Sequence, residues 1–335
     1  MDKADVVSRN GNSSGYGVSF SPNSTGLLIY LPGGRACFDA FSCSTNLGDY
    51  GEAEFNENGV PDFPLFNRAN LSGNANNLFK DWNHLFIAYS SGDVYAGDNE
   101  GVDVPNGGDD DQTFKGYQNF RLVLEEYLIF IDEQGLELTE VILAGSSAGG
   151  YGVLANFDQM ATLISNKFSD VQYTLINDAG YLLIDEAVVP DCLNQDWQNT
   201  FNIQIPADIN EFSQPNFAFN FLSIYEYLDQ KYPTANFGFF GSYSDVISRT
   251  LLSLGQENCA YQVGLIEAEA FKASLLTQQE QLLANLSRWR VYYRQSEEHT
   301  ILRAPDYFSL TVNDKKFIDW VNELHAGTAE DVIAP

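Results

Sequence analysis

Residues 140–149 read Glu-Val-Ile-Leu-Ala-Gly-Ser-Ser-Ala-Gly, and Val153, Leu154, Phe157 and Ile164 follow at helical spacing. The apolar run has the length of a buried strand and the periodic stretch is a helix. Gly145-x-Ser147-x-Gly149 is therefore a strand-to-helix turn. Such a turn is so tight that only small residues fit beside the serine, whose Oγ stands clear at the strand's carboxyl end. Parallel sheets present several such ends side by side, so this segment narrows the fold to an α/β architecture.

The rest of the chain keeps that rhythm. Tyr16–Phe20 and Leu27–Leu31 read as strands around a Pro22-Asn23-Ser24 turn, 44–80 reads as loop, and His84–Tyr89 reads as a strand. After a loop at 97–115, Phe120, Val123, Leu124, Tyr127 and Ile131 mark a helix over 116–134, with Gly135 in the C-cap position. The helix after Ser147 extends to about 167, and Gln172–Asn177 is the next strand. Residues 181–235 break the alternation with prolines, asparagines and aromatics. Strand 236–241, helices near 243–254 and 267–286, strand 288–294 and a helix over 313–325 then resume it; the last ten residues read as a frayed tail. The expectation is one domain over 1–335, a mostly parallel central sheet with helices on both faces and an inserted cap at about 181–235.

The 46 acidic against 17 basic residues give a net charge of −29. Such a surface repels phosphate backbones and anionic bilayers, which argues against nucleic acid as a partner, and no apolar run is long enough for a membrane span. It suits a saline setting, where salt screens the self-repulsion. Cys37, Cys43, Cys192 and Cys259 lack zinc-site spacing. Of their three pairings, Cys37–Cys43 closes a short loop and leaves Cys192–Cys259. Disulfides imply an oxidising compartment, hence a secreted or periplasmic protein whose signal peptide has been removed. Asp109-Asp110-Asp111 lacks the regular ligand spacing of a calcium loop and reads as a solvated turn. Neither a metal nor a cofactor is expected.

A serine hydroxyl needs a positioned base, and histidine suits that role near neutral pH. There are three histidines. His84 precedes the serine, contrary to the order Ser, acid, His that accompanies this turn. His325 falls in the last turn of a helix before Gly327, where it would complement the helix dipole. His299 lies in the loop after strand Arg290–Arg294 and is the preferred base. For the acid, Asp245 and Asp178 both sit at strand ends between Ser147 and His299, and spacing does not separate them; either residue type is also a common helix N-cap. Oxyanion donors are expected from the Ala148 amide and from the loop Leu31-Pro32-Gly33-Gly34-Arg35.

The segments LPGGRACFDAFSC (31–43), IAYSSGDVYAGD (87–98), LAGSSAGGYGVLANF (143–157), NDAG (177–180) and EHTIL (298–302) resemble, in this order, the pectin acetylesterase-like family that includes the Notum carboxylesterases. The resemblance spans about residues 25–325. It implies an α/β-hydrolase fold, a triad of Ser147, Asp245 and His299, oxyanion amides at Gly34, Arg35 and Ala148, and a local Cys37–Cys43 disulfide. It favours Asp245 over Asp178. Arg35 departs from the aromatic residue that often follows the glycine pair in that family, and four cysteines are fewer than the family's larger set.

The reading is a secreted serine carboxylesterase that removes acetyl groups from a carbohydrate ester. The alternative within hydrolases is a lipase-like or polyester-degrading enzyme, and from another class an inactive binding protein on the same fold. The 14% aromatic content, concentrated in 212–243, would suit sugar rings or acyl chains. A pectin substrate, itself anionic, would need a local basic patch from Arg35, Arg68 or Arg121.

Overall fold

The computed structural model describes residues 2–46, 77–209 and 223–335, with side chains from residue 6 onward. Arg68, most of the expected loop 44–80 and the aromatics of 212–222 lie outside the described residues.

A nine-stranded sheet runs through the chain: β1 (Asp2–Val7), β2 (Ser13–Ser19), β3 (Gly26–Leu31), β4 (Asn83–Ile87), β5 (Glu140–Ser146), β6 (Gln172–Asp178), β7 (Asn236–Ser242), β8 (Trp289–Arg294) and β9 (Val332–Ile333). Its order is β1-β2-β4-β3-β5-β6-β7-β8-β9. β1 pairs with β2, and β2 with β4, antiparallel; every other neighbour is parallel. Every residue of β3, β4 and β7 is buried, as in a sheet covered on both faces. These strands are the continuous apolar runs that the sequence shows.

The helices follow the same logic. α1 (Ala40–Thr45) starts from a capping box, in which the Asp39 carboxylate accepts from the Ser42 amide and Ser42 Oγ accepts from the Asp39 amide. α2 (Gly116–Glu133) buries Phe120, Val123, Leu124, Tyr127 and Ile131, and Gly135 follows at φ +65°. α3 (Ala148–Ser165) is buried along almost its whole length. α4 (Asp191–Phe201) lies inside the expected insertion, and α5 (Ser223–Lys231) closes it. α6 (Val246–Leu252), α7 (Ala268–Gln281) and α8 (Phe317–His325) complete the chain.

Two expectations are corrected. The last helix begins at Phe317, because Thr311–Val312 and Lys315–Lys316 form a small hairpin around Asn313 and Asp314, both at positive φ. The final residues are not frayed. Val332 and Ile333 pair with Tyr292 and Tyr293, the Asp331 carboxylate accepts from the Val291 amide, and Trp320 Nε1 donates to the Glu330 carbonyl. The pairing partner lies some forty residues upstream and leaves no local trace in a tail this short.

Both disulfides, Cys37–Cys43 and Cys192–Cys259, are formed. The second ties α4 to the loop after α6. No described helix is long and apolar enough to cross a membrane. The described aromatics of the 212–243 cluster pack inward: Tyr225 meets Trp289 edge-on, Phe237 stacks on it, and Phe240 meets Phe317 and Trp320.

Candidate active site

Register along the parallel strands brings five loops to one edge. Leu31 of β3 stands beside Gly145 of β5, Ser146 beside Asp178 of β6, Asp178 beside Phe240 of β7, and Ser242 beside Arg294 of β8. The segments that follow these residues all leave the sheet at its carboxyl edge, where open α/β sheets build their sites.

Ser147 turns the chain from β5 into α3 at φ 58° and ψ −119°, a conformation that costs a non-glycine residue on the order of 1–3 kcal/mol. The flanking glycines are a steric requirement. A Cβ at Gly149 would collide with the Leu31 carbonyl, and one at Gly145 with the Gly149 carbonyl. Further strained positions lie along this edge. Arg35 after β3, Val94 and Tyr95 after β4, Ala179 after β6 and Thr300 beside His299 all have positive φ.

The acid and base loops are stitched together by backbone bonds that prolong the ladder between β7 and β8. The Tyr243 amide donates to the Arg294 carbonyl, Ser244 to Ser296 and Val246 to Glu297. This brings Asp245 to His299, with 2.7 Å between Oδ2 and Nδ1. Asp245 is fully buried and its other oxygen, Oδ1, accepts from the Ser248 amide at 2.9 Å, so one carboxylate both caps α6 and holds the imidazole. The two readings left open for an aspartate at this position, helix cap and histidine partner, are both met. His299 Nε2 is buried and makes no hydrogen bond among the described residues, so no Ser147–His299 bond is formed in this state. Such bonds are often long before substrate binds.

Asp178 has a different place. Its carboxylate accepts from the Ile301 amide at 2.9 Å, the Leu302 amide at 2.9 Å and Ser146 Oγ at 2.8 Å, and its carbonyl accepts from the Ser147 amide at 2.7 Å. Burial pushes its pKa up, against the donors that favour the charged form. Ser146, the neighbouring hydroxyl, points into the sheet edge and also accepts from Tyr30 Oη.

The loop after β3 lies against the serine. A Cβ on Gly33 would stand 2.6 Å from Ser147 Cβ. The Gly34 carbonyl accepts from Asn46 Nδ2 at 2.9 Å and the Arg35 carbonyl from Tyr89 Oη at 2.5 Å. In a trans peptide the C=O and N–H point opposite ways, so the bond from Asn46 aims the Arg35 amide away from Asn46. Ala148 is the first residue of α3, where helix amides are free to donate outward. Behind this loop Tyr95 Oη donates to the Pro32 and Ile87 carbonyls, and Asp93, fully buried, accepts from Ser91 Oγ and from the Tyr95 and Gly116 amides.

The other histidines lie elsewhere. His84 is buried in β4 with Nε2 2.7 Å from the Phe79 carbonyl. His325 is the last residue of α8, as expected, and is buried between Thr174 Oγ1 and Glu140 Oε1, at 3.0 Å from each. Arg121 pairs with Glu125 on its own helix, and Asp109 with Arg9. The donor groups Cys37, Cys43 and Asp109 come together, but both cysteines are in a disulfide. Sequence reasoning missed Arg294. Its guanidinium, 4% exposed, donates to the carbonyls of Glu298 and Thr300 on either side of His299 and to Ser242 Oγ. A charged residue at the end of a largely buried strand, after the aromatic pair Tyr292-Tyr293, is the one signal that pointed to it.

The fold and the layout of this edge define an α/β-hydrolase. The sequence profile of the pectinacetylesterase family matches residues 2–220, and the chain belongs to that family. The palmitoleoyl-protein carboxylesterase notum1a of Danio rerio is 26% identical over 185 residues, 55% of this chain and 35% of that protein. Palmitoleoyl-protein carboxylesterase NOTUM of Mus musculus is 29% identical over 184 residues, 53% of this chain and 34% of its own length. The chain thus matches about a third of the length of these relatives. A crystal structure of the Wnt deacylase Notum from Drosophila superposes with a TM-score of 0.71 over 99% of this chain and 94% of that one, at 18% identity.

Proposed function

We propose that this protein hydrolyses carboxylic esters through an acyl-enzyme on Ser147. The observation that carries the reading is the Asp245–His299 hydrogen bond at the same sheet edge as the strained Ser147 elbow. Ser147 Oγ attacks the acyl carbon while its proton passes to His299 Nε2, a buried nitrogen with no other partner among the described residues. Asp245 holds Nδ1 and stabilises the imidazolium. The charge that develops on the carbonyl oxygen is met by the amides of Gly34, Arg35 and Ala148. His299 returns the proton to the departing alcohol, and water then releases the acid by the same route.

Family membership favours a small acyl group, and O-deacetylation of a carbohydrate ester is the preferred reaction. The relatives named as palmitoleoyl-protein carboxylesterases favour a second reading, a long acyl chain. Two disulfides support an oxidising, extracytoplasmic location, and the segment 181–235 is read as a cap, since its Trp197 packs on Tyr151 of α3 and on Phe38 beyond the β3 loop. Turnover of nitrophenyl esters of increasing chain length separates the two substrates: a steep loss beyond butyrate supports the acetylesterase, and a maximum at long chains refutes it. Ser147→Ala and His299→Ala, both folded, are expected to lose roughly 10³-fold or more in kcat. Absent wild-type turnover would leave a binding protein on this fold, and turnover unchanged in both variants would make the Ser147 turn structural.

A further inference from the structure

Asp178 touches both halves of the proposed machinery without touching His299's ring nitrogens. Its backbone carbonyl accepts the Ser147 amide at 2.7 Å, and its carboxylate accepts the hydroxyl of Ser146. The same carboxylate receives two successive amides, Ile301 and Leu302, just after the base. From the opposite side Arg294 donates to the Glu298 and Thr300 carbonyls. His299 is thus gripped by an anion at its following amides and by a cation at its flanking carbonyls. Thr300 is held at φ 66° between the two grips, a conformation a free loop would leave.

We propose that Asp178 is the positioning residue that fixes the distance between the nucleophile and the base, with Arg294 as its counterpart on the far side of the base loop. The proposal rests on the assignment of Ser147 and His299 above. The ladder to the acid loop ends at Glu297, so among the described residues the segment beyond His299 is held by the bonds from its Ile301 and Leu302 amides to this carboxylate, while Asp245 orients the ring through Nδ1. A buried anion without solvent is held there only if its donors are fixed, and here they are two backbone amides and a hydroxyl that is itself fixed by Tyr30. Fixed donors in turn leave the base loop one position.

The test is Asp178→Asn, which keeps size and one acceptor but turns an NH₂ group toward amide donors. The expected result is a kcat loss of roughly 10²-fold with KM within about twofold, since misplacement of about 1 Å is enough for that. A second readout needs no turnover. The ring protons of His299, one of three histidines, are followed by NMR at fixed pH, and loss of the anchor is expected to move or broaden their signals. The charged or titratable groups that face this pair are Asp245 on the ring, Arg294 across the loop, and Tyr30, Tyr181 and Tyr307 around Asp178. All three tyrosines are pushed up by burial. A folded Asp178→Asn protein with wild-type kcat and unmoved His299 ring signals overturns the proposal. If wild type hydrolyses no ester, the functional reading fails, while the ring signals still decide whether Asp178 positions His299. If the Asn variant does not fold, Ser146→Ala cuts only the arm to the elbow. A several-fold kcat loss at unchanged KM then supports the proposal, and wild-type kcat overturns it.

Discussion

Asp93 sits fully buried in the loop after β4, and burial pushes its pKa from 3.8 up to about 6. A shift of about 2 units corresponds to about 3 kcal/mol of linked free energy. Between those two values the folded state keeps a proton that the unfolded chain has lost, so stability falls as pH rises through the window. The contribution is fully present below the unfolded pKa and gone above about pH 6. About 2 kcal/mol of it lies between about pH 4.5 and 7, an accessible range. Asp93→Asn cannot titrate, but its amide would face the Gly116 N–H that Oδ2 now accepts at 2.7 Å. Its absolute stability therefore mixes a lost bond with a relieved charge, and only the pH dependence is clean. Urea unfolding of both proteins across that range is expected to show wild type losing about 2 kcal/mol relative to the variant as pH rises. A difference that stays constant with pH would mean that the three donors already neutralise the burial cost, and the reasoning would fail.

Ser147→Gly should abolish ester hydrolysis yet raise unfolding stability by about 1–2 kcal/mol, because glycine takes φ 58° without strain; equal or lower stability in denaturant melts would refute strain at the elbow. Replacing Cys192 and Cys259 by serine opens a link across 67 residues and should cost about 4 kcal/mol, read as a lower urea midpoint. Deleting residues 328–335 removes β9 and the Asp331 contacts to Val291 and Gln279, so a clear loss of thermal stability is expected; an unchanged melting temperature would restore the frayed-tail picture.

Much of the fold was legible because its strands are short apolar runs and its long helices carry apolar residues at helical spacing. β3, β5, β6, β7 and β8 and helices α2 and α3 fall within a few residues of their expected limits. What escaped was structure held by distant partners. β1 and β9 exist through pairing with β2 and β8, and α4 lies in a stretch that prolines and asparagines made look irregular. His325 ends α8 as expected, but its burial between Thr174 and Glu140 depends on distant partners.

At the candidate site, the sequence alone determined the nucleophile's turn, since Gly145 and Gly149 are demanded by contacts of the turn itself and of the strand beside it. It also narrowed the base to one loop, because there were only three histidines to choose among. Strand spacing left Asp245 and Asp178 level, and the choice of Asp245 came from the family resemblance. Both are aspartates that close buried parallel strands, and which of them meets the imidazole depends on sheet register and on the ladder that continues from β7 and β8 into their loops. Register places Asp178 opposite Ser146, one strand nearer the nucleophile, where its carboxylate meets backbone amides and not the ring. Local sequence encodes turns and periodicity; which side chains converge across 30 to 150 residues is decided only when the strands pair.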